Sequence, residues 1–243
     1  MGIRCNENTQ NMCFFSRMIF HEIRNCTRNN TDKLSICLTG GRTAEALYRD
    51  KNFQQVLREN VTNYYFGDER CVEANHGDSN YHLALSTLFP DGIPEDKVIH
   101  RIRGDAAGPA QEAIRYAKLL PKELDILLLT VGEDGHIASL FPGHPALNED
   151  GRAVVAVDNA PKPPPARITI TPAAIRTAKK IIVMATGAQK GNVLAEALNK
   201  PKDILQLPVR LTVGTTWVLD QSAADAFRGR KSTNLHGTRI LVA

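Results

Sequence analysis

The stretch DILLLTVGEDGHIASLFPG, residues 125–143, joins the most continuous apolar run of the chain to a cluster of polar and turn-forming residues. The apolar run predicts a buried strand. Gly132 and Gly135 let the backbone turn sharply where that strand ends, and His136 follows Asp134 by two residues. Ligands of open parallel sheets bind at the carboxyl ends of the strands, so the stretch predicts a site as well as a strand.

The order of strand, turn and helix recurs on both sides of this stretch. KLSICLTGG predicts a strand that ends in a glycine pair, and RTAEALYRD predicts a helix that begins near Thr43. VTNYYFGD, a strand ending at residues 67–68, precedes the helix DSNYHLALSTLF with Asp78 or Ser79 as its N-cap. KKIIVMATG precedes the helix AQKGNVLAEALN, ARITIT alternates like a half-buried strand, and TTWVL is expected to be the last strand. The alternation predicts an α/β fold, a mostly parallel open sheet with helices on both faces, Rossmann-like and doubly wound.

Length and composition restrict the class of protein. The 243 residues are predicted to form a single domain, with a core at residues 10–227, a peripheral tail at 1–9 and a solvated basic tail at 228–243. The net charge of +4 is too small to indicate nucleic-acid binding, and no apolar run is long enough to predict a membrane span. Five cysteines without a C-x-x-C pair, together with a polar N-terminus, favour free thiols and a cytoplasmic location.

Two further polar clusters follow predicted strands. In TGGRT, residues 39–43, glycines at a strand-to-helix turn let backbone N–H groups face an anion, although a tight turn without a ligand explains the pattern equally well. In GDER, Arg70 offers a forked donor for phosphate or carboxylate, and Asp68 offers an acceptor or a base. An internal ion pair that closes the loop is the alternative for this second cluster.

His136, Arg167 and Lys190 complete the set of candidate residues. Histidine titrates near neutrality, so His136 is predicted to be a general base at the start of the next element, with a helix-capping histidine as the alternative. No H-x-x-x-H pattern or cysteine ligand set accompanies it, so no metal is expected. Arg167 opens a strand after PKPPP, and Lys190 lies in the first turn of a helix. A cation there opposes the helix dipole unless an anion is bound, and a solvated lysine is the alternative.

Taken together, the motifs resemble those of the glucosamine-6-phosphate isomerase/6-phosphogluconolactonase family. Six motifs occur in the family's order and approximate spacing, over about residues 10–227. They are TGGRTAEALY, FGDERCV with DSNY, VGEDGHIASLFPG, PKPPPARITIT, ATGAQK and WVLDQSAA. Three features resemble the lactonase branch of the family more than the deaminase branch. The chain has GDER where the deaminases have an MDEY-like segment, SLFPG follows the histidine, and PPARIT is lactonase-like. The family's S-G-G-S-T-P loop reads TGGRTA here, so Arg42 and Ala44 depart from the pattern.

This resemblance implies hydrolysis of 6-phospho-D-glucono-1,5-lactone to 6-phospho-D-gluconate, the second step of the oxidative pentose phosphate pathway, without an organic cofactor. It implies that His136 takes a proton from the attacking water, and that Asp134 either orients the imidazole or only stabilises the loop. Arg70 and the backbone N–H groups near Gly40 and Gly41 are the candidate donors to the oxyanion.

The resemblance also implies a substrate-binding set: Gly40, Gly41, Arg42, Thr43, Asp68, Arg167 and Lys190. In this set Arg167, Lys190 and the Gly-Gly loop hold the 6-phosphate, Arg42 either contacts it or points to solvent, and Asp68 binds sugar hydroxyls. The partner is thus a phosphorylated sugar lactone, with no nucleic acid or membrane, bound by a monomer or small homo-oligomer. The alternatives are an amino-sugar phosphate deaminase or isomerase, and a non-catalytic sugar-phosphate sensor.

Overall fold

The computed structural model describes residues 7–27, 34–199, 203–230 and 234–243. Most of the predicted N-terminal tail, residues 1–6, lies outside this part of the chain. In chain order the elements are α1 (Glu7–Thr27), β1 (Leu34–Leu38), α2 (Arg42–Tyr48), α3 (Lys51–Asn60), β2 (Val61–Phe66), β3 (Asp68–Arg70), α4 (Asn80–Leu88), β4 (Val98–Ile99), α5 (Pro109–Ala117), β5 (Ile126–Thr130), β6 (Val154–Val157), β7 (Arg167–Ile170), α6 (Pro172–Arg176), β8 (Lys180–Ala185), α7 (Ala188–Ala197), β9 (Thr216–Leu219), α8 (Gln221–Gly229) and β10 (Arg239–Val242).

The main sheet contains seven parallel strands in the order β10-β9-β8-β5-β1-β2-β4. β5 lies at its centre, and Ile126, Leu127, Leu128 and Leu129 are fully buried. A parallel strand covered on both faces requires apolar side chains at successive positions, which accounts for the continuous run ILLL. The predicted α/β fold with a mostly parallel open sheet is confirmed.

The strand order reverses between β1 and β5: strands that follow β1 are added on one side, and strands that follow β5 are added on the other. From β1 the chain proceeds through β2 to β4 at one edge, whereas from β5 it proceeds through β8 and β9 to β10 at the other. Because crossovers between parallel strands are right-handed, the two series place their helices on opposite faces. Accordingly α2, α3 and α4 pack together with α1, and α7 packs against α8. The carboxyl ends of β1 and β5 thus flank the crevice where such sheets bind ligands.

A second, antiparallel sheet of order β3-β7-β6 adjoins the main one, and it corrects two predictions. The strand VTNYYFGD was expected to end at residues 67–68, but β2 ends at Phe66 and Asp68 begins β3 in the other sheet. Gly67 links the sheets, since its N–H donates to the Leu38 carbonyl at 2.9 Å and its carbonyl accepts from the Ile170 N–H at 2.8 Å. The half-buried strand predicted for ARITIT is fully buried as β7, because β7 is the middle strand.

The C-terminal tail is the clearest error of the sequence interpretation. Residues 239–242 form β10, which pairs in parallel with β9 from Arg239 opposite Thr216 to Val242 opposite Leu219. TTWVL is therefore not the last strand, and this part of the tail is not a solvated extension. Four residues behind a basic segment carry almost no periodic signal, so pairing with a distant strand decides their conformation.

The helix starts agree well with the capping signals. Ser79, one of the two predicted N-caps, accepts a hydrogen bond from the His82 N–H at the start of α4. α2 begins at Arg42, one residue before the predicted Thr43, with Gly41 as its N-cap. Among the described residues, no helix is both long and apolar enough to cross a membrane.

Candidate active site

A cleft with two adjoining cavities, of about 400 and 700 Å³, opens at the carboxyl ends of β1 and β5. Arg42, Glu133 and Lys190 border both cavities. The smaller cavity extends to β3 and β7, and the larger one to the start of α7. The cleft therefore lies at the point where the strand order reverses, as expected for an open α/β sheet.

The smaller cavity brings together most of the residues that the sequence singled out, although they come from five different segments of the chain. Those on its wall are Gly40, Gly41, Arg42, Asp68, Arg70, His136, Arg167 and Lys190. Thr43 borders the larger cavity, where its hydroxyl lies 2.8 Å from that of Thr186. Asp134 does not line the smaller cavity, but it is hydrogen-bonded to His136, which does.

The loop after β5 is a tight turn that positions His136. Its ends are joined by a hydrogen bond from the Gly132 N–H to the His136 carbonyl at 2.8 Å, and Gly135 adopts a φ of +80°. A Cβ on Gly132 would lie 2.1 Å from the His136 ring, so only glycine leaves room for the imidazole to fold back over the turn. His136 was expected to start the next element, but Ile137 forms isolated bridges to Val131 and Leu140 instead. No helix begins there, so the helix-capping alternative is wrong.

His136 and Asp134 form a hydrogen-bonded pair through Nδ1 and Oδ1. The other carboxylate oxygen of Asp134 lies 3.6 Å from Nζ of Lys162. Burial alone raises the pKa of Asp134, but the hydrogen bond and charge of His136, followed by the charge of Lys162, hold it below its ordinary value. Asp134 is thus a carboxylate at neutral pH. With Nδ1 engaged, and with no described residue bonded to Nε2, Nε2 is the ring nitrogen free to meet a ligand.

Asp68 is buried on the opposite wall and is held by two neutral donors. Its Oδ2 accepts from the Ser139 hydroxyl at 2.6 Å, and its Oδ1 accepts from Asn80 Nδ2 at 3.1 Å. Oδ1 of Asn80 is buried without a hydrogen-bond partner and packs against Gly40, where a Cβ would lie 1.9 Å from it. Asn80 was not predicted as a site residue, and its one sequence signal was its place in the motif DSNY.

Glu69, which lies between the predicted site residues Asp68 and Arg70, has a structural role. Its carboxylate accepts from the N–H groups of Arg70, Asn80 and Tyr81 and from the Ser79 hydroxyl, at 2.7–3.0 Å. Burial raises the pKa of Glu69, and these four hydrogen bonds partly offset the effect. Glu69 therefore joins β3 to the start of α4 and orders the wall that carries Asp68 and Asn80.

Arg70 and Arg167 lie directly opposite each other in the pairing of β3 with β7. Like charges at such positions destabilise a sheet unless an anion or an acceptor offsets them. Arg70 donates to the Asp78 carbonyl at 2.5 Å, while its buried Nε has no hydrogen-bond partner. Burial lowers the pKa of Arg167, and Arg70 contributes in the same direction. The predicted alternative, an ion pair of Asp68 with Arg70, does not occur among the described residues.

Arg42 and Lys190 supply the positive charge of the larger cavity. Burial lowers the pKa of Lys190, and the neighbouring charge of Arg42 adds to the effect. Within the described ranges, neither side chain donates a hydrogen bond to another residue. Arg42 is exposed and borders both cavities, so it faces solvent at the mouth of the cleft.

Two helices begin at the cleft without a side-chain cap. The N-caps of α2 and α7 are Gly41 and Gly187, with φ of +93° and +91°, a region that glycine adopts without strain. Elsewhere in the described chain α5 also begins at a glycine, Gly108, without a side-chain cap, whereas side chains cap α3, α4, α6 and α8: Asp50, Ser79, Thr171 and Asp220. The N–H groups in the first turns of α2 and α7 carry a partial positive charge that favours an anion, and at the start of α7 the Gly187 N–H already donates to the Asp220 carboxylate at 3.0 Å. In the part of the chain that the structure describes, no three His, Cys, Asp or Glu side chains form a group that could hold a metal ion.

Comparisons with known proteins identify the family of the chain. A family model described as "Glucosamine-6-phosphate isomerases/6-phosphogluconolactonase" matches residues 11–218. The chain is 36% identical to a 6-phosphogluconolactonase of Mycobacterium tuberculosis over 207 residues, which cover 78% of this chain and 83% of that protein. It is 31% identical to the 6-phosphogluconolactonase of Rattus norvegicus over 225 residues, which cover 86% of each chain.

A solved structure resembles the whole fold. The 6-phosphogluconolactonase of Trypanosoma cruzi superimposes with a TM-score of 0.72 at 28% identity, and the match covers 92% of this chain and 95% of that one. The resemblance inferred from the motifs is thereby confirmed. The chain belongs to the glucosamine-6-phosphate isomerase/6-phosphogluconolactonase family.

Proposed function

We propose that this protein hydrolyses 6-phospho-D-glucono-1,5-lactone to 6-phospho-D-gluconate, the second step of the oxidative pentose phosphate pathway. One observation carries the proposal: a histidine whose Nδ1 is held by a carboxylate presents its free Nε2 to a cavity lined by cations. Water activation needs a neutral imidazole, and an anionic substrate needs the positive surroundings. The similarity to lactonases of Mycobacterium tuberculosis and Rattus norvegicus supports the same assignment.

In the proposed reaction Nε2 of His136 removes a proton from water as the water oxygen attacks C1 of the lactone. The carbonyl oxygen becomes an oxyanion, for which Arg70 and the N–H groups of Gly40 and Gly41 are the candidate donors. Asp134 holds the imidazole in place and stabilises its protonated form. When the bond between C1 and the ring oxygen breaks, His136 returns the proton to the departing oxygen, so the base is regenerated.

The 6-phosphate is assigned to the mouth of the cleft. Arg42, Lys190, Thr43 and the N–H groups of the Gly-Gly loop have donors to offer there, and phosphate binds well at such helix starts. Arg167 contributes mainly its charge. Asp68, as a buried acceptor on the opposite wall, accepts from a sugar hydroxyl. Phosphate and hydroxyl contacts together orient C1 towards His136, which lowers the entropic cost of the attack.

The decisive test is an assay of lactone hydrolysis measured against the spontaneous opening of the lactone. A rate far above the background, without ammonia release from glucosamine 6-phosphate, is the expected result. Ammonia release would instead identify a deaminase. Binding of 6-phosphogluconate without any rate above background would identify a sensor, and either outcome would overturn the proposal.

A further inference from the structure

The proline-rich segment 161–165 borders the smaller cavity, and Arg167 holds it there. Nε of Arg167 donates to the Pro164 carbonyl at 3.0 Å, and Nη2 donates to the carbonyls of Lys162 and Pro163 at 3.1 and 3.2 Å. The Ala160 N–H closes the segment by donating to the Pro165 carbonyl at 2.9 Å. Three hydrogen bonds from one guanidinium thus fix the path of the backbone around Lys162.

These bonds leave Arg167 little capacity for a ligand. A guanidinium has five N–H groups, and the segment takes the one on Nε and both on Nη2. Nη1 lies 3.5 Å from the Ser139 hydroxyl, and the guanidinium lies over the Phe141 ring at 5.6 Å. Arg167 is therefore mainly an anchor for the segment.

The anchored segment carries one charged side chain into the site. Nζ of Lys162 lies 3.6 Å from Oδ2 of Asp134, whose Oδ1 is the partner of His136 Nδ1. The carboxylate is therefore shared between a permanent cation on one side and the imidazole on the other. Lys162 borders the same cavity as His136, although its side chain is half exposed.

We infer that Lys162 is a positioning residue for the catalytic pair: through Asp134 it holds the His136 imidazole in place and opposes a second positive charge beside the same carboxylate. The physical reason is electrostatic, because protonating His136 beside the Lys162 ammonium places two positive charges against one carboxylate. The inference rests on the proposed role of His136 as the base.

Other charges face His136 as well, and they stay unchanged when Lys162 alone is replaced. Glu133 belongs to the same loop, Asp68 and Arg70 to β3, Arg167 to β7, Arg42 to α2 and Lys190 to α7. Any change in the protonation of His136 in a Lys162 variant is therefore attributable to the lysine, provided that the fold is intact.

The test is to measure the His136 ring titration by NMR in the wild type and in Lys162→Met, Lys162→Arg and Lys51→Met. The last variant removes an exposed lysine of α3 and serves as the matched control. Loss of the Lys162 charge is expected to move the midpoint of the measured His136 titration to higher pH, by a modest amount because the lysine is half exposed and acts across the carboxylate. Lys162→Arg should restore the wild-type value, and Lys51→Met should not alter it.

The acidic limb of the pH profile of kcat/KM should move by the same amount in Lys162→Met, while KM stays constant. An unchanged His136 titration in well-folded Lys162→Met would overturn the inference. So would a large rise in KM with an unchanged titration, because Lys162 would then bind the substrate directly. The NMR titration needs no substrate. Absence of lactone hydrolysis would therefore contradict the proposed function, but the effect of Lys162 on His136 could still be measured.

Discussion

At the amino ends of β8 and β10, the buried Glu22 of α1 receives ion pairs from Lys180 at 2.6 Å and from Arg239 at 2.7 Å. At the carboxyl ends of β1 and β5, Arg42 and Lys190 border the same cleft and, in the described chain, donate no hydrogen bond to any acceptor. The same sheet thus pairs these charges at one end, whereas at the other Arg42 and Lys190 form no ion pair with any residue that the structure describes.

We attribute this difference to two roles: the ion pairs at the amino end stabilise the fold, and the cations at the carboxyl end are available to the proposed anionic substrate. Lys180 and Arg239 offset the cost of burying Glu22 and tie α1 to two strands of the sheet. Burial and the charge of Arg42 lower the pKa of Lys190, while Glu133 and Asp220 act in the opposite direction, so an anion in the cleft would stabilise the charged lysine further. The comparison predicts that changes at the carboxyl end affect catalysis or substrate binding, whereas changes at the amino end affect stability.

The largest effect is expected for His136→Ala. Removal of the general base should lower turnover of the lactone by about 10²–10⁴-fold, with little loss of stability. Initial rates corrected for spontaneous opening measure the effect, and His21→Ala on the exposed face of α1 is the control. Near-normal turnover in His136→Ala would contradict the proposed mechanism.

Gly40→Ala probes the contact between the Gly-Gly loop and Asn80. The new methyl group would lie 1.9 Å from Asn80 Oδ1, so the loop must shift and turnover should fall by about 10²-fold. The double variant Gly40→Ala with Asn80→Ala removes the clash and should recover much of that loss. A double variant no better than Gly40→Ala would show that the clash is not the cause.

Lys190→Met should mainly weaken substrate binding. Losing a charge-assisted contact to phosphate should raise KM by about 10- to 100-fold and change kcat little. The variant should be at least as heat-stable as the wild type, because a buried charge beside Arg42 is removed. Steady-state kinetics and thermal unfolding measure the two effects, and an unchanged KM would mean that the phosphate binds elsewhere.

Glu22→Gln is expected to have the smallest effect on catalysis and a clear effect on stability. Losing the carboxylate leaves Lys180 and Arg239 without their partner and should lower the free energy of unfolding by about 2 kcal/mol. Urea denaturation measures this loss, and KM should stay at the wild-type value. A change in KM without a change in stability would contradict the separation of roles between the two ends.

Local signals predicted much of the candidate site. Adjacent residues are enough to recognise the apolar strand before Gly132, the turn formed by Gly132 and Gly135, and the histidine that follows, His136. Strand periodicity and turn formation depend on residues only a few positions apart. Asn80 and Lys162 were missed for the opposite reason. The surroundings of Asn80 depend on Gly40, which precedes it by forty residues, and the position of Lys162 depends on the bonds from Arg167.

By itself the sequence determined most of the strands and helices around the cleft, the cap at Ser79 and which residue types could act as base and anion ligands, since each depends on neighbouring residues. Only the tertiary structure decided that β1 lies beside β5, that Arg70 faces Arg167 and that the tail ends as β10. Strand order is set by which distant segments bury apolar area and satisfy backbone hydrogen bonds together. No local pattern encodes that choice, and it is the choice that assembles the cleft.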